Sequence, residues 1–250
     1  MSFEGLRVLV TGSTRGIGRA TAAAFLAQGA TVAVHGRRAK DVARTVDDLG
    51  GERLAAVSGD LSTRSTCYQI VAAAIDELGG LDILVNNAGV FIEGPIGDVS
   101  EEAYDGLMGA NVKGVFFCSQ AAVPALRAAR GSIVNVSSES GLVGNLNSAL
   151  YCASKGAVTN FTRSLAFELA PEVRVNAVCP GPVMTDMLTG QADDPEAESL
   201  NLQDLIDYAP MKRIAEPQEI ADGILYLANP ASKFVTGAML SIDGGSTATR

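Results

Sequence analysis

Tyr151 and Lys155 stand four positions apart in Leu-Tyr-Cys-Ala-Ser-Lys, residues 150 to 155, a stretch otherwise made mostly of small side chains. On a helix that spacing puts both side chains on one face, a turn apart. A phenol has a pKa of about 10 and exchanges protons poorly at neutral pH; an ammonium a few ångströms away favours the phenolate and lowers that value. Such a pair is suited to giving a proton to a forming alkoxide, or to taking one from an alcohol. A second cluster lies near the start. Thr11-Gly12-Ser13-Thr14-Arg15-Gly16-Ile17-Gly18 follows an apolar run and opens an alanine-rich one. Glycines there let the backbone bend sharply and approach a diphosphate. A helix starting at the same place offers free N–H groups and the positive end of its dipole. The early segment reads as a nucleotide cradle, the middle one as a proton-transfer face.

Short β-branched runs supply the frame. Residues 6–11, 30–35, 54–58, 82–86, 132–137, 173–178 and 238–242 read as buried strands. Longer segments with helical spacing run between them, and the first ends at Gln28-Gly29, with the glycine placed for a helix C-terminal cap. Strand and helix in alternation predict an α/β doubly wound fold, a parallel sheet with helices on both faces. No linker-like shift in composition and no internal repeat occurs, so one domain over 1–250 is expected. Residues 187–212 break the rhythm, acidic first and then amphipathic, with Leu202, Leu205 and Ile206 at helical spacing. Long insertions in compact α/β domains are often lids over a site; a solvated surface excursion is the other reading.

A formal net charge of −9 argues against a nucleic-acid or anionic-membrane partner. No uninterrupted apolar stretch is long enough to span a bilayer, and Met-Ser-Phe-Glu-Gly leads straight into a strand rather than into a secretory leader. Cys67, Cys118, Cys152 and Cys179 are far apart, and with one histidine, His35, a zinc site has almost no ligands to draw on. No metal is expected. A cytoplasmic protein with reduced thiols is the expectation.

The nucleotide type can be argued from the end of the second strand. A site specific for NAD carries an Asp or Glu there, about 20 residues after the glycines, to bind the ribose 2′-hydroxyl. In Thr-Val-Ala-Val-His-Gly-Arg-Arg that place is held by Gly36. Without a carboxylate a 2′-phosphate meets no repulsion, and Arg37 and Arg15 offer guanidinium groups that match phosphate oxygens. This combination of basic residues resembles that of dehydrogenases that prefer NADP(H), which implies Thr14 and Arg38 as supporting contacts; NAD(H) is the alternative.

These motifs together resemble the short-chain dehydrogenase/reductase family. The resemblance runs from Thr11 to Gly245 and rests on T-G-x-x-x-G-x-G at 11–18, Asp60-Leu61, Asn-Asn-Ala-Gly at 86–89, Asn111, a serine before Tyr-x-x-x-Lys, and P-G-x-x-x-T at 180–185. It implies a Rossmann-like fold with a seven-stranded parallel sheet. It also implies a catalytic tetrad of Asn111, Ser138, Tyr151 and Lys155, and hydride transfer between NADP(H) and a carbonyl or secondary alcohol. By the same resemblance Gly12, Thr14, Arg15, Gly16, Ile17 and Gly18 cradle the diphosphate, and Asp60 and Leu61 flank the adenine. Asn87, Ala88 and Gly89 lie over the adenosine ribose, and Asn87 also steadies the sheet. Tyr151 and Lys155 reach the nicotinamide ribose, and Pro180, Gly181, Val183 and Thr185 close over the nicotinamide carboxamide. Ser138 binds the substrate carbonyl, Tyr151 supplies the proton, and Asn111 holds a relay water. Ser137 reads instead as a structural strand-end hydroxyl.

Within the family, Asn-Val-Lys-Gly-Val-Phe-Phe, the Ser-Ser-x-x-Gly segment and the Ser-Ile-Asp-Gly-Gly ending are similar to 3-oxoacyl-carrier-protein reductases. Those that dock an acidic carrier protein have arginines near the end of the helix after Tyr-x-x-x-Lys. Here that stretch is Phe-Glu-Leu-Ala-Pro-Glu-Val, without a positive charge, while Arg127 and Arg130 elsewhere offer part of a basic patch. The expected substrate is a small carbonyl or alcohol, in a pocket lined by residues 140–147, 183–188 and the 187–212 lid. Phe91, Ile92, Leu188, Leu202 and Tyr208 hint at an apolar component. The helices carrying Asn111 and Tyr151 are apolar on several faces and want further burial. The resemblance makes them the dimer contact and the last strand the tetramer contact, so a homotetramer is expected.

Overall fold

The computed structural model describes residues 2–189 and 202–248. Its frame is a parallel sheet of β1 (Arg7–Val10), β2 (Thr31–Gly36), β3 (Leu54–Ser58), β4 (Ile83–Asn86), β5 (Ser132–Val136), β6 (Arg174–Pro180) and β7 (Met239–Ile242). The strand order is β3-β2-β1-β4-β5-β6-β7, seven strands in all. Each sequence-predicted strand is present, with shifts only at the ends. The fold is therefore an α/β Rossmann-like sheet.

Alternate residues of one strand serve opposite faces. Val8 and Val10 pack with Phe25, Ile220 and Ile224, whereas Leu9 packs with Ile70, Leu126 and Leu165. Helices α1 (Gly16–Ala27), α2 (Ala39–Leu49) and α8 (Pro217–Ala228) thus cover one face. The other carries α3 (Arg64–Leu78), α5 (Gly114–Ala129) and α6 (Ala149–Leu169). Covering both faces explains why the strands read as continuous apolar runs rather than as alternating ones. Two shorter α-helices are α4 (Glu101–Met108) and α7 (Leu202–Tyr208).

β1 pairs with β2 on one side and with β4 on the other, Val8 lying opposite Val32 and Ile83. Connections leave β1 and β4 toward opposite faces of the sheet, and the crevice lies between those connections at the C-terminal ends of the two strands, the usual binding place in such sheets. Of the expected lid, residues 190–201 lie outside the described residues; residues 202–208 form α7 beside the crevice.

Candidate active site

The glycine-rich turn leaves β1 and enters α1 under tight steric control. Gly12 has φ +62°, and a Cβ there would come within 2.8 Å of Ala88 Cα. Only glycine suits both conditions. The turn is laced to the loop after β4. Thr11 Oγ1 accepts from the N–H groups of Asn87 at 3.0 Å and Ala88 at 3.1 Å. Asn87 Nδ2 donates to the carbonyls of Thr11 and Gly12, both at 2.9 Å. Asn87 is thus the brace that the sequence suggests, but a deeper one was not anticipated. Asn86, buried in β4, donates to Asn135 Oδ1 and Ser119 Oγ, and Asn135 donates to Thr162, tying β4 and β5 to α5 and α6.

At the end of β5, Ser138 caps a short 3-10 turn, Glu139–Gly141, its Oγ accepting from the N–H of Ser140 at 3.1 Å. Its neighbour Ser137 donates instead to the backbone carbonyl of Lys155 at 3.0 Å, joining β5 to α6. Tyr151 and Lys155 lie on consecutive turns of α6 and face the same cleft, with Nζ 5.6 Å from the phenol ring centroid. Phe91 meets the Tyr151 ring edge-on, centroids 4.8 Å apart and planes at 86°. Such contacts fix ring orientation as well as burying area.

The electrostatics differ from the sequence-based expectation. Burial pushes the Tyr151 phenol up to about 12, although the facing Ser138 hydroxyl pulls the other way. Lys155 does not offset this, because its ammonium is turned to the carbonyl of Val136 at 3.0 Å. Burial also brings Lys155 down to about 8. The chain's own groups therefore keep the phenol protonated at neutral pH.

Asn111 sits in a π-helical turn, Gly109–Lys113, between α4 and α5. Such turns are rare and concentrate at functional sites. Its Oδ1 accepts from the N–H of Val90 at 2.8 Å, and its Nδ2 donates to the Val90 carbonyl at 2.9 Å and to Ser154 Oγ at 3.2 Å. It binds the loop after β4 to α6 from behind. The other sequence-predicted site residues, from Gly12 and Arg37 to Pro180, Gly181, Val183 and Thr185, all line one cleft of about 2090 Å³. That exceeds the roughly 300–1,000 Å³ of a single small-ligand pocket. The glycine cradle, the start of α1 and this length fit a dinucleotide. Arg38 also lines the cleft, but it is paired with Asp41 at the start of α2.

Sequence reasoning missed three features. His35 bridges two loops, Asn145 donates to Ser140 Oγ at 2.8 Å, and Tyr208 donates to Asn145 Oδ1 at 3.4 Å. Their partners are distant in the chain or are ordinary polar residues of a loop, so no local pattern marks them. No cluster of metal-ligating side chains occurs among the described residues.

A cleft for a dinucleotide at the switch point, with a serine, a tyrosine and a lysine at its far end, defines a nicotinamide-dependent oxidoreductase. Residues 12–247 match the family model described as enoyl-(acyl carrier protein) reductase. Glucose 1-dehydrogenase of Gluconobacter oxydans is 40% identical over 252 residues, covering 98% of this chain and 93% of that one. Among solved structures, 3-ketoacyl-(acyl-carrier-protein) reductase from Brucella melitensis complexed with NADH superposes with a TM-score of 0.90 at 32% identity, covering 98% of this chain and 100% of the other. ElxO with NADP bound reaches 0.89 at 30%, covering 97% and 99%. The chain belongs to the short-chain dehydrogenase/reductase family. It is an oxidoreductase of alcohols and ketones that uses a nicotinamide cofactor. No helix among the described residues is long and apolar enough to cross a membrane.

Proposed function

We propose that the protein interconverts a neutral ketone and its secondary alcohol with NADP(H). The observation that carries this reading is the meeting of a protonated Tyr151 phenol with the Ser138 hydroxyl at the head of the nucleotide cleft. When bound, the nicotinamide supplies or accepts the hydride. Ser138 Oγ donates to the substrate carbonyl oxygen and stabilises the charge that develops there. Tyr151 Oη gives its proton to that oxygen. Lys155 holds the ribose hydroxyls, and Asn111 holds the water through which the proton is replaced.

For NADP(H), the support lies at Gly36. The end of β2 carries no carboxylate to select against a 2′-phosphate, and the side chain of Thr14 packs close over the glycine. Arg15 and Arg37 line the same part of the cleft. For a neutral substrate, the support is charge. Beyond the ends of β4, β5 and β6 and on α4 and α7 the described lining adds Glu93, Glu102, Glu139, Asp186 and Asp204, and no Lys or Arg other than Lys155. Where a carrier-docking reductase has arginines, the end of α6 presents Phe167, 91% exposed, with exposed Glu168 and Glu172. The likeness to a glucose 1-dehydrogenase points the same way. The reading takes 1–250 as one catalytic unit in a cytoplasmic homotetramer. Phe116, Phe117 and Phe161 form an aromatic face on α5 and α6, and Phe116 is 43% exposed, a surface suited to a second copy. Light scattering that shows a monomer would remove that part.

The test is oxidation of NADPH and of NADH by the purified protein over neutral ketones, hydroxyketones, keto-sugars and 3-oxoacyl thioesters. Preference for NADPH by about tenfold or more, on an uncharged substrate, is expected. Equal or better use of NADH sinks the argument from Arg15 and Arg37. Preference for carrier-protein thioesters sinks the argument from charge.

A further inference from the structure

Gly12 donates its backbone N–H to Nδ1 of His35 at 3.1 Å, and Nε2 of the same ring lies 3.1 Å from the carbonyl oxygen of Gly59. Residue 35 is 2% exposed. The two partners settle the tautomer: Nδ1 accepts, so Nε2 carries the proton and donates it to Gly59. Burial brings the imidazole down to about 4, so the ring is neutral in ordinary working conditions. The main chain of residue 35 belongs to the same joint. Ser13 donates its N–H to the His35 carbonyl at 2.8 Å, and His35 donates its N–H to Ser13 Oγ at 2.9 Å. Gly59 in turn donates its N–H to the carbonyl of Gly36 at 3.1 Å. The glycine-rich turn, the end of β2 and the turn leading to Asp60 and Leu61 all meet at one side chain.

We infer that His35 is a positioning residue of the nucleotide site, whose ring fixes the separation between the turn that receives the diphosphate and the turn that receives the adenine. The inference rests on the nucleotide reading given above. Both ring partners are glycines, at φ +62° and +158°, with no side chain of their own to restrain them. Glycine has the largest conformational freedom to lose, so an outside clamp acts most strongly there. Asn87 already holds the carbonyl of Gly12, but it ties that residue to the loop after β4 and not to the adenine turn. The ring also takes up the Gly12 N–H, leaving the phosphates to N–H groups further along the turn. His35 thus acts on the dinucleotide through spacing, without touching it.

The requirement is one acceptor and one donor about a ring width apart, and this can be dissected. Asn at 35 keeps an acceptor oxygen near the place of Nδ1; Gln keeps a donor near the place of Nε2; Phe keeps the ring shape and neither bond. The probes are ADP-ribose and its 2′-phosphate, titrated calorimetrically into the full-length protein, so the result does not depend on knowing the substrate. His35→Phe is expected to weaken ADP-ribose binding about tenfold or more, and His35→Asn and His35→Gln about threefold each. Turnover at saturating cofactor stays within about twofold for all three, so the loss appears in the cofactor KM and not in kcat. The inference is overturned if all three bind ADP-ribose within about twofold of wild type. It is equally overturned if affinity falls only in step with the thermal midpoint of the ligand-free protein, which would mark a purely structural role. Should His35→Phe not fold, the Asn and Gln variants decide by the same two criteria. A wild-type protein that binds neither probe overturns the nucleotide reading itself.

Discussion

The two ends of the cleft are held by different kinds of bond. At the nucleotide end each contact joins a side chain to the main chain: Thr11 Oγ1 accepts from Asn87 and Ala88 N–H, Asn87 Nδ2 donates to two carbonyls, and Gly12 N–H donates to His35. At the substrate end side chains hold one another, Tyr208 to Asn145, Asn145 to Ser140, and Phe91 edge-on to Tyr151. The charges also part. Arg15, Arg37, Arg38 and Arg44 outnumber Asp41 and Asp60 at the first, whereas Glu93, Glu139, Asp186 and Asp204 outnumber Lys155 at the second. Main-chain geometry at glycines admits few alternatives, which suits a ligand of fixed shape. A wall of side chains can be altered one residue at a time, which suits a variable one.

If the ends are separable, damage to one should leave the other intact. Tyr151→Phe is the sharpest case. It removes the proton while keeping the ring against Phe91, and kcat is expected to fall by about 10²–10⁴-fold. ADP-ribose affinity, measured by calorimetry, should stay within about threefold; a larger loss would join the two ends and break the distinction.

Lys155→Met comes next and separates activity from stability. Turnover is expected to be lost by about a hundredfold or more, since the residue that holds the ribose is gone. Stability should move in the opposite direction. The Lys155 pKa is lowered from 10.5 to about 8, so at pH 7 the unfolded chain holds that proton more readily than the folded one. A shift of this size corresponds to about 3 kcal/mol of lost stability. About 1 kcal/mol is recovered through the bond to Val136. Removing the amine therefore leaves a net gain of about 2 kcal/mol at pH 7, raising Tm by about 4–8 °C. The sign is testable by pH. Between pH 8 and 10.5 the folded protein sheds this proton first, so wild-type stability rises and the advantage of the variant shrinks. Calorimetric scans at pH 7 and pH 10 that show a constant or negative difference would refute this account of the buried lysine.

How much of this could be read from the chain follows from the same division. The strands were legible because a sheet covered on both faces needs short apolar runs, and each run of that kind became a strand. The cradle was legible because its constraints are local: Gly12, Gly16 and Gly18 stand at fixed spacing in the turn after a strand and the first turn of the helix that follows. Tyr151 and Lys155 were legible because helix periodicity places them together. His35 was not, since its ring partners are 23 and 24 residues away along the chain. Nor was the contact between Tyr208 and Asn145, which are 63 residues apart. The turning of the Lys155 ammonium toward Val136 was also hidden, and with it the direction in which the Tyr151 phenol moves. Spacing reports which residues share a face; it does not report which of several acceptors a flexible amine will choose.

Arg37→Ala probes the nucleotide end by charge. One charge-assisted contact to a 2′-phosphate is worth about 1.5–3 kcal/mol, so the KM for NADPH should rise about tenfold or more, with the KM for NADH unchanged. Parallel changes in both would place Arg37 in general folding of the turn rather than in recognition of the phosphate.

The smallest effect is expected at Tyr208, and it bears most directly on the substrate end. Tyr208 belongs to α7, and its hydroxyl reaches Asn145 at 3.4 Å, a long and weak bond. Through Asn145 and Ser140 that contact leads to the Ser138 hydroxyl, which accepts from the Ser140 N–H. Tyr208→Phe keeps the ring and removes the hydroxyl, so about 0.5–1 kcal/mol is at stake, or about a two- to fivefold change. If α7 serves to orient the substrate against Ser138, the change falls on the substrate KM and leaves the KM for NADPH untouched. A change in the NADPH value alone would mean that α7 closes over the cofactor, and the boundary between the two ends would then lie further toward β6 than the charges suggest.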